Sequence, residues 1–170
     1  ATNFIQLHYK EFSSMSWVYS CGAGANYGTA LESALKIGET IHIPSCCYEI
    51  EEYIHGPNLR LTPQYNVIFF DGNDGASRRV EQVYKATRKV SNRAYLISNN
   101  PQLSSDDHVL SLSDTVSSEL CPLVYLPFVQ LLSFIVSNDL HSIYQHPLLK
   151  EFKAIAAAKT ENFVNYDGDD

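Results

Sequence analysis

Apolar positions in this chain alternate between a helical period and short unbroken runs, the pattern of helices interleaved with buried strands. Ile5, Tyr9 and Phe12 stand at helical spacing, and residues 16–21 are a run of β-formers that reads as a strand. A glycine-rich turn, Gly22-Ala23-Gly24-Ala25-Asn26-Tyr27-Gly28, leads into residues 29–41, whose Ala and Leu content predicts a helix. A short helical turn carrying Glu51 and Glu52 ends at His55-Gly56-Pro57, where glycine and proline stop it. After a loop at 58–64, Val67-Ile68-Phe69-Phe70 is a nearly pure strand, closed by a turn at 71–75. Val80, Val83, Tyr84, Thr87 and Val90 recur at helical intervals with basic residues opposite. Residues 94–98 and 108–112 read as two more strands, the first an unbroken apolar run of the kind buried parallel strands show. The stretch 120–136 contains Pro122, Pro127, Gln130 and Ser133, and reads as a buried helix rather than a membrane span. Turns at Asn138-Asp139 and His146-Pro147 precede a short Ala-rich helix ending near Lys159.

Strand and helix in alternation predict an α/β fold: a three-layer α/β/α sandwich around an open, mostly parallel, flavodoxin-like sheet. In such sheets ligands gather at the carboxyl ends of the strands, and the turn at 21–28 lies at one of them. As a dinucleotide fingerprint this turn is weak, because Tyr27 stands where the third glycine of GxGxxG would be. At 170 residues the chain has room for one domain, expected over 1–164, with a frayed acidic tail at 165–170.

Composition changes this picture mainly by exclusion. A formal charge of -7 argues against a nucleic-acid or anionic-membrane surface. Arg78, Arg79, Lys85, Arg88 and Lys89 are spaced as the wet face of a helix. Cys21, Cys46, Cys47 and Cys121 form neither a CxxC pair nor a Cys/His ligand set, so no metal is expected. A vicinal pair such as Cys46-Cys47 makes a poor disulfide, and no apolar signal segment opens the chain; a reducing cytoplasm is the expected setting.

Chemistry concentrates in two charged clusters. Glu32, Lys36 and Glu39 fall along one stripe of a helix, and Glu51, Glu52 and His55 follow. Taken alone, the first is an ordinary exposed helix ion pair and the second a histidine at a helix end. Their joint pattern, E-x3-K-x2-E-x15-HGP, resembles the isomerase half of glucosamine-6-phosphate synthase without a gap, and thus the sugar isomerase (SIS) domain family. Cys21-Gly22-Ala23-Gly24 before the helix, the helix at 123–134, and Ala156-Ala157-Ala158-Lys159-Thr160 extend the likeness over nearly the whole chain. Gly24-Ala25-Asn26-Tyr27-Gly28 with Tyr53-Ile54-His55-Gly56-Pro57 looks closest to the fructosamine 6-phosphate deglycase branch.

The resemblance implies roles. Glu39 would be the general base of an aldose–ketose isomerisation, His55 would act on the sugar-ring oxygen, and Lys159 would close the site from the tail. Glu32 and Lys36 would orient these groups or polarise substrate oxygens, and Gly22, Gly24, Asn26 and Glu52 would line the substrate. No cofactor is implied; the partners are a sugar phosphate or amino-sugar phosphate and a second subunit of a homodimer that shares the site. The family's phosphate loop, Ser-x-Ser-Gly-x-Thr, is absent: Ser13-Ser14-Met15-Ser16 and Leu103-Ser104-Ser105-Asp106 lack its glycine. The chain is therefore expected to be the C-terminal half of a two-SIS-domain protein. It would contribute acid-base residues to an isomerase, a deglycase or an aminosugar-phosphate deaminase. The alternative is a phosphosugar-sensing or purely dimerising domain without catalysis.

Overall fold

A computed structural model describes residues 1–112, 116–142 and Ile155. Its centre is one sheet of five parallel strands in the order β2-β1-β3-β4-β5. The strands are β1 (Val18–Gly22), β2 (Ser45–Glu49), β3 (Asn66–Asp71), β4 (Ala94–Ser98) and β5 (Val109–Ser111). This is the expected flavodoxin-like order, which reverses direction between β1 and β3. The helices are α1 (Thr2–Leu7), α2 (Tyr9–Ser13), α3 (Ala25–Ile41), α4 (Ile50–Ile54), α5 (Ser77–Arg88) and α6 (Cys121–Asp139).

Alternate residues of the strands feed two cores. Ile68 and Phe70 of β3 and Tyr95 and Ile97 of β4 pack with α1, α2, α3 and α6 on one face. Val67 and Phe69, with Ala94 and Leu96, pack with α4 and α5 on the other. A strand buried on both faces has no polar side to show, which is why β3 and β4 read as continuous apolar runs. Three layers result, as the alternation of elements requires. By length and composition α6 is apolar enough to cross a membrane, but Tyr125, Phe128, Val129, Leu132 and Val136 are buried in the first core.

The structure corrects several sequence expectations. β2 was not expected, because Ser45-Cys46-Cys47-Tyr48-Glu49 is a half-buried edge strand, paired only with β1 and carrying no apolar run. α3 begins at Ala25 instead of residue 29: Asn26 N–H donates to Ala23 O and Tyr27 N–H to Gly24 O. Tertiary packing of buried Asn26 and Thr29 there outweighs the poor helix propensity of Gly28. The N-terminal helical spacing is split in two at His8. α5 stops at Arg88, so Val90 lies beyond it, and α6 runs on through Asn138 and Asp139, where a turn was expected. The turn at His146-Pro147, the Ala-rich segment up to Lys159 and the tail at 165–170 fall outside the described residues, apart from helical, exposed Ile155.

Candidate functional site

α3 leaves the carboxyl end of β1 so tightly that a Cβ on Gly22 would stand 2.3 Å from Asn26 O. Gly24, at φ 54, makes the turn between them. Asn26 is buried; its Oδ1 accepts from Thr29 Oγ1 at 3.1 Å, while its Nδ2 faces Gly72, 2.9 Å from where a Cβ would lie. Gly22, Gly24 and Asn26 thus meet the loop after β3 at the point where the strand order reverses.

Along the outer face of α3, Lys36 Nζ donates to Glu39 Oε2 at 2.9 Å and lies 3.6 Å from Glu32 Oε1. The hydrogen bond that Lys36 donates to Glu39, with the two carboxylate charges, holds the ammonium above its ordinary pKa. Lys36 and Glu32 are a third exposed and Glu39 is half exposed, so the row is open to solvent. Beside it runs an apolar groove of about 480 Å³ between α3 and β2, floored by Ala34, Gly38 and Cys47 and flanked by Leu31, Leu35 and Glu39. Leu31 and Leu35 are 47% and 50% exposed, so nothing in the described chain covers the groove.

α4 supplies the second cluster. Glu49 caps it by accepting from Glu51 N–H at 2.7 Å, and His55 ends it. The His55 Nδ1 lies 2.7 Å from Glu51 O; a carbonyl only accepts, so this nitrogen carries the proton. Glu51 itself is held by Arg79 in a bidentate pair at 2.6 and 3.0 Å, which lowers its carboxyl pKa. Among the described residues no hydrogen bond or ion pair joins His55 to Glu32, Lys36 or Glu39. Lys159 lies outside the described residues.

Two groups were missed by sequence reasoning. The first is Cys47 with Tyr27, Glu49 and Glu52, where neighbouring Cys47, then burial and the two carboxylates, raise the Tyr27 hydroxyl. No sequence signal marked it, since β2 itself was not seen. The second is a buried set below the strand-order reversal: Asp71 Oδ2 accepts from Ser98 Oγ at 2.7 Å and its Oδ1 from Asn73 N–H at 3.1 Å, while Tyr125 Oη donates to Asp71 O at 2.6 Å. Polar residues directly following the apolar runs of β3 and β4 were its signal.

Burial, with smaller contributions from Glu52 and Cys46, pushes the Cys47 thiol up to about 12. The native state therefore keeps a proton that the unfolded chain releases near pH 9, and this contribution is present below that pH and lost as pH climbs toward 12. We expect iodoacetamide at pH 8 to alkylate Cys47 at least about a hundredfold more slowly than a free cysteine, because the thiolate is the nucleophile. Peptide mapping that finds Cys47 modified at the free rate would contradict this placement.

Known proteins share this fold and part of this sequence. Glutamine–fructose-6-phosphate aminotransferase (isomerizing) of Methanothermobacter thermautotrophicus is 30% identical over 131 residues, 75% of this chain and 22% of that protein. The C-terminal domain of glucosamine-fructose-6-phosphate aminotransferase from Francisella tularensis superposes with a TM-score of 0.71 at 23% identity, over 81% of this chain and 39% of that one. Tagatose-6-phosphate ketose/aldose isomerase from Escherichia coli does so with 0.69 at 18% identity, over 82% and 40%. No family model matches the chain. The resemblance to the SIS family is borne out: the chain is homologous to a segment of the isomerizing aminotransferases and shares the fold of sugar-phosphate isomerases. It spans about a fifth of the length of the curated relatives it matches.

Proposed function

We propose that this chain is the phosphosugar-binding second SIS domain of a longer, homodimeric cytoplasmic protein, and that it brings acid-base groups to an aldose–ketose isomerase or fructosamine 6-phosphate deglycase site. The observation that carries this reading is the row Glu32, Lys36 and Glu39, held in one ion-paired register on the open face of α3 beside an uncovered apolar groove. In it, Glu39 moves the proton between neighbouring carbons and Lys36 holds that carboxylate in place. His55 acts on the sugar from another surface, which accounts for its standing apart from the row, and the family resemblance gives Lys159 the role of closing the site.

The strand-order reversal in this half is poorly suited to phosphate. An anion needs free N–H groups or cations there. Here the Asn26 and Tyr27 N–H groups of α3 bond to Ala23 O and Gly24 O, and the Asp74 carboxylate comes within 3.1 Å and 3.7 Å of where Cβ atoms on Gly72 and Gly24 would be. Buried Asp71 adds a second acid to the same loop. The phosphate is then held by the other domain, and this domain supplies the proton transfer.

The test is turnover of fructosamine 6-phosphates and glucosamine 6-phosphate by the full-length protein. Glu39→Gln and His55→Ala are each expected to lower it by about a hundredfold or more while sugar-phosphate binding persists. Unchanged turnover in both variants would return the domain to a sensing or dimerising role.

A further inference from the structure

At the opposite pole of the sheet, where the strands begin, a cavity of about 630 Å³ opens between the α1–α2 junction, the end of α5 and the segment entering β5. Lys10, Arg88 and Arg93 line it, with His8 and His108. Three permanent cations around one cavity stand out in a chain whose formal charge is -7. Lys36, Arg79 and Lys85 each hold a carboxylate, whereas Lys10, Arg88 and Arg93, like Arg60, Arg78 and Lys89, form no ion pair among the described residues. Arg88 spends one donor on Asn92 O at 2.9 Å and Arg93 one on Ser14 O at 3.3 Å, so both guanidinium groups are anchored with donors to spare.

Two carboxylates, Glu11 and Asp107, also line the cavity. Asp107 Oδ1 accepts a hydrogen bond from His108 Nδ1 at 2.8 Å and its carbonyl accepts one from His8 Nε2 at 2.8 Å; the His108 bond, and more weakly the charge of Arg88, hold its carboxyl below the ordinary range. Glu11 forms no ion pair among the described residues, so three permanent cations face two acids. Tyr95, which does not line the cavity, is fully buried and stacked on His108, and its hydroxyl has no hydrogen-bond partner among the described residues. Guanidinium groups with donors to spare can take a phosphate or carboxylate oxygen in charge-assisted hydrogen bonds.

We propose that this cavity is an anion site for a small phosphate- or carboxylate-bearing molecule, held by Lys10, Arg88 and Arg93 at the pole of the sheet remote from the α3 row. It is independent of the acid-base reading, since none of its residues belongs to α3 or α4. The probe is inorganic phosphate, titrated calorimetrically into the full chain at low salt, with citrate as the carboxylate counterpart. Saturable one-to-one binding is expected, weakened about tenfold or more in Lys10→Gln and Arg93→Gln, because each removes a charge-assisted contact. Glu11→Gln should tighten it, and Arg60→Gln, on the far side of the sheet, should leave it unchanged. Phosphate and citrate binding distinguish the two ligand sources; saturable binding of either supports the site. Arg93 also anchors Ser14, so Lys10→Gln serves as the variant whose folding is not at issue. Absence of saturable binding of both anions, equal weakening by Arg60→Gln, or full affinity in Lys10→Gln would each overturn the proposal.

Discussion

Replacing Gly22 by alanine is expected to cost about 3 kcal/mol of stability, at the upper end of what overpacking a tight interior does. The added Cβ would meet Asn26 O at 2.3 Å and Asn26 C at 2.8 Å, both backbone atoms that no rotamer change can move. Relief requires lifting the first turn of α3 off the end of β1, which would also drag Asn26 from its place against Gly72. Gly28 is the matched control. It lies within α3, a Cβ there meets nothing within 4 Å, and Gly28→Ala should stabilise by roughly 0.5 to 1 kcal/mol from helix propensity alone. Chemical denaturation of the two variants side by side measures both signs. A Gly22→Ala protein as stable as its parent would mean that α3 does not sit on β1 this closely. The same result bears on the glycine's expected role along the substrate: its lack of a side chain is required by packing before any ligand is considered.

That case shows what was legible in the sequence and what was not. β3 and β4 announced themselves because strands buried on both faces must be apolar throughout. β2 did not, because an edge strand borrows its stability from one neighbour and from half-buried Cys46, Cys47 and Tyr48, none of which makes a pattern. The beginning of α3 was misplaced for a related reason: local propensity penalises Gly28, and only the distant partner Gly72 and the buried Asn26–Thr29 bond explain a helix there. The spacing of Glu32, Lys36 and Glu39 was readable, since three residues on one stripe of a helix need no tertiary information. Their relation to His55 was not. α3 lies on one face of the sheet and α4 on the other, each serving a different core, so the sequence interval between the clusters says nothing of the distance across the sheet.

Glu39→Gln in the full-length protein is expected to lower kcat by about 10²- to 10⁴-fold, the usual contribution of a positioned general base, with KM changed only a few-fold. Glutamine keeps the side-chain length and an oxygen that still accepts from Lys36 Nζ, so what disappears is the capacity to take a proton. The structural role of the residue predicts almost nothing by comparison. Its pair with Lys36, at 2.9 Å on a half-exposed helix face, contributes roughly 0.2 to 0.5 kcal/mol, so the variant should fold as its parent does. Glu32→Gln sharpens the contrast, for Glu32 lies 3.6 Å from the same ammonium and should cost activity several-fold at most. The groove beside the row explains why the full-length protein is needed. With Leu31 and Leu35 bare, water surrounds the Glu39 carboxylate; a surface that buried those leucines would also dry the base, strengthening its interactions with a bound sugar. A Glu39→Gln enzyme within threefold of parental kcat would remove proton transfer from this face and leave the row as a helix ion pair, whereas a large loss in kcat without loss of folding has no explanation in the ion pair alone.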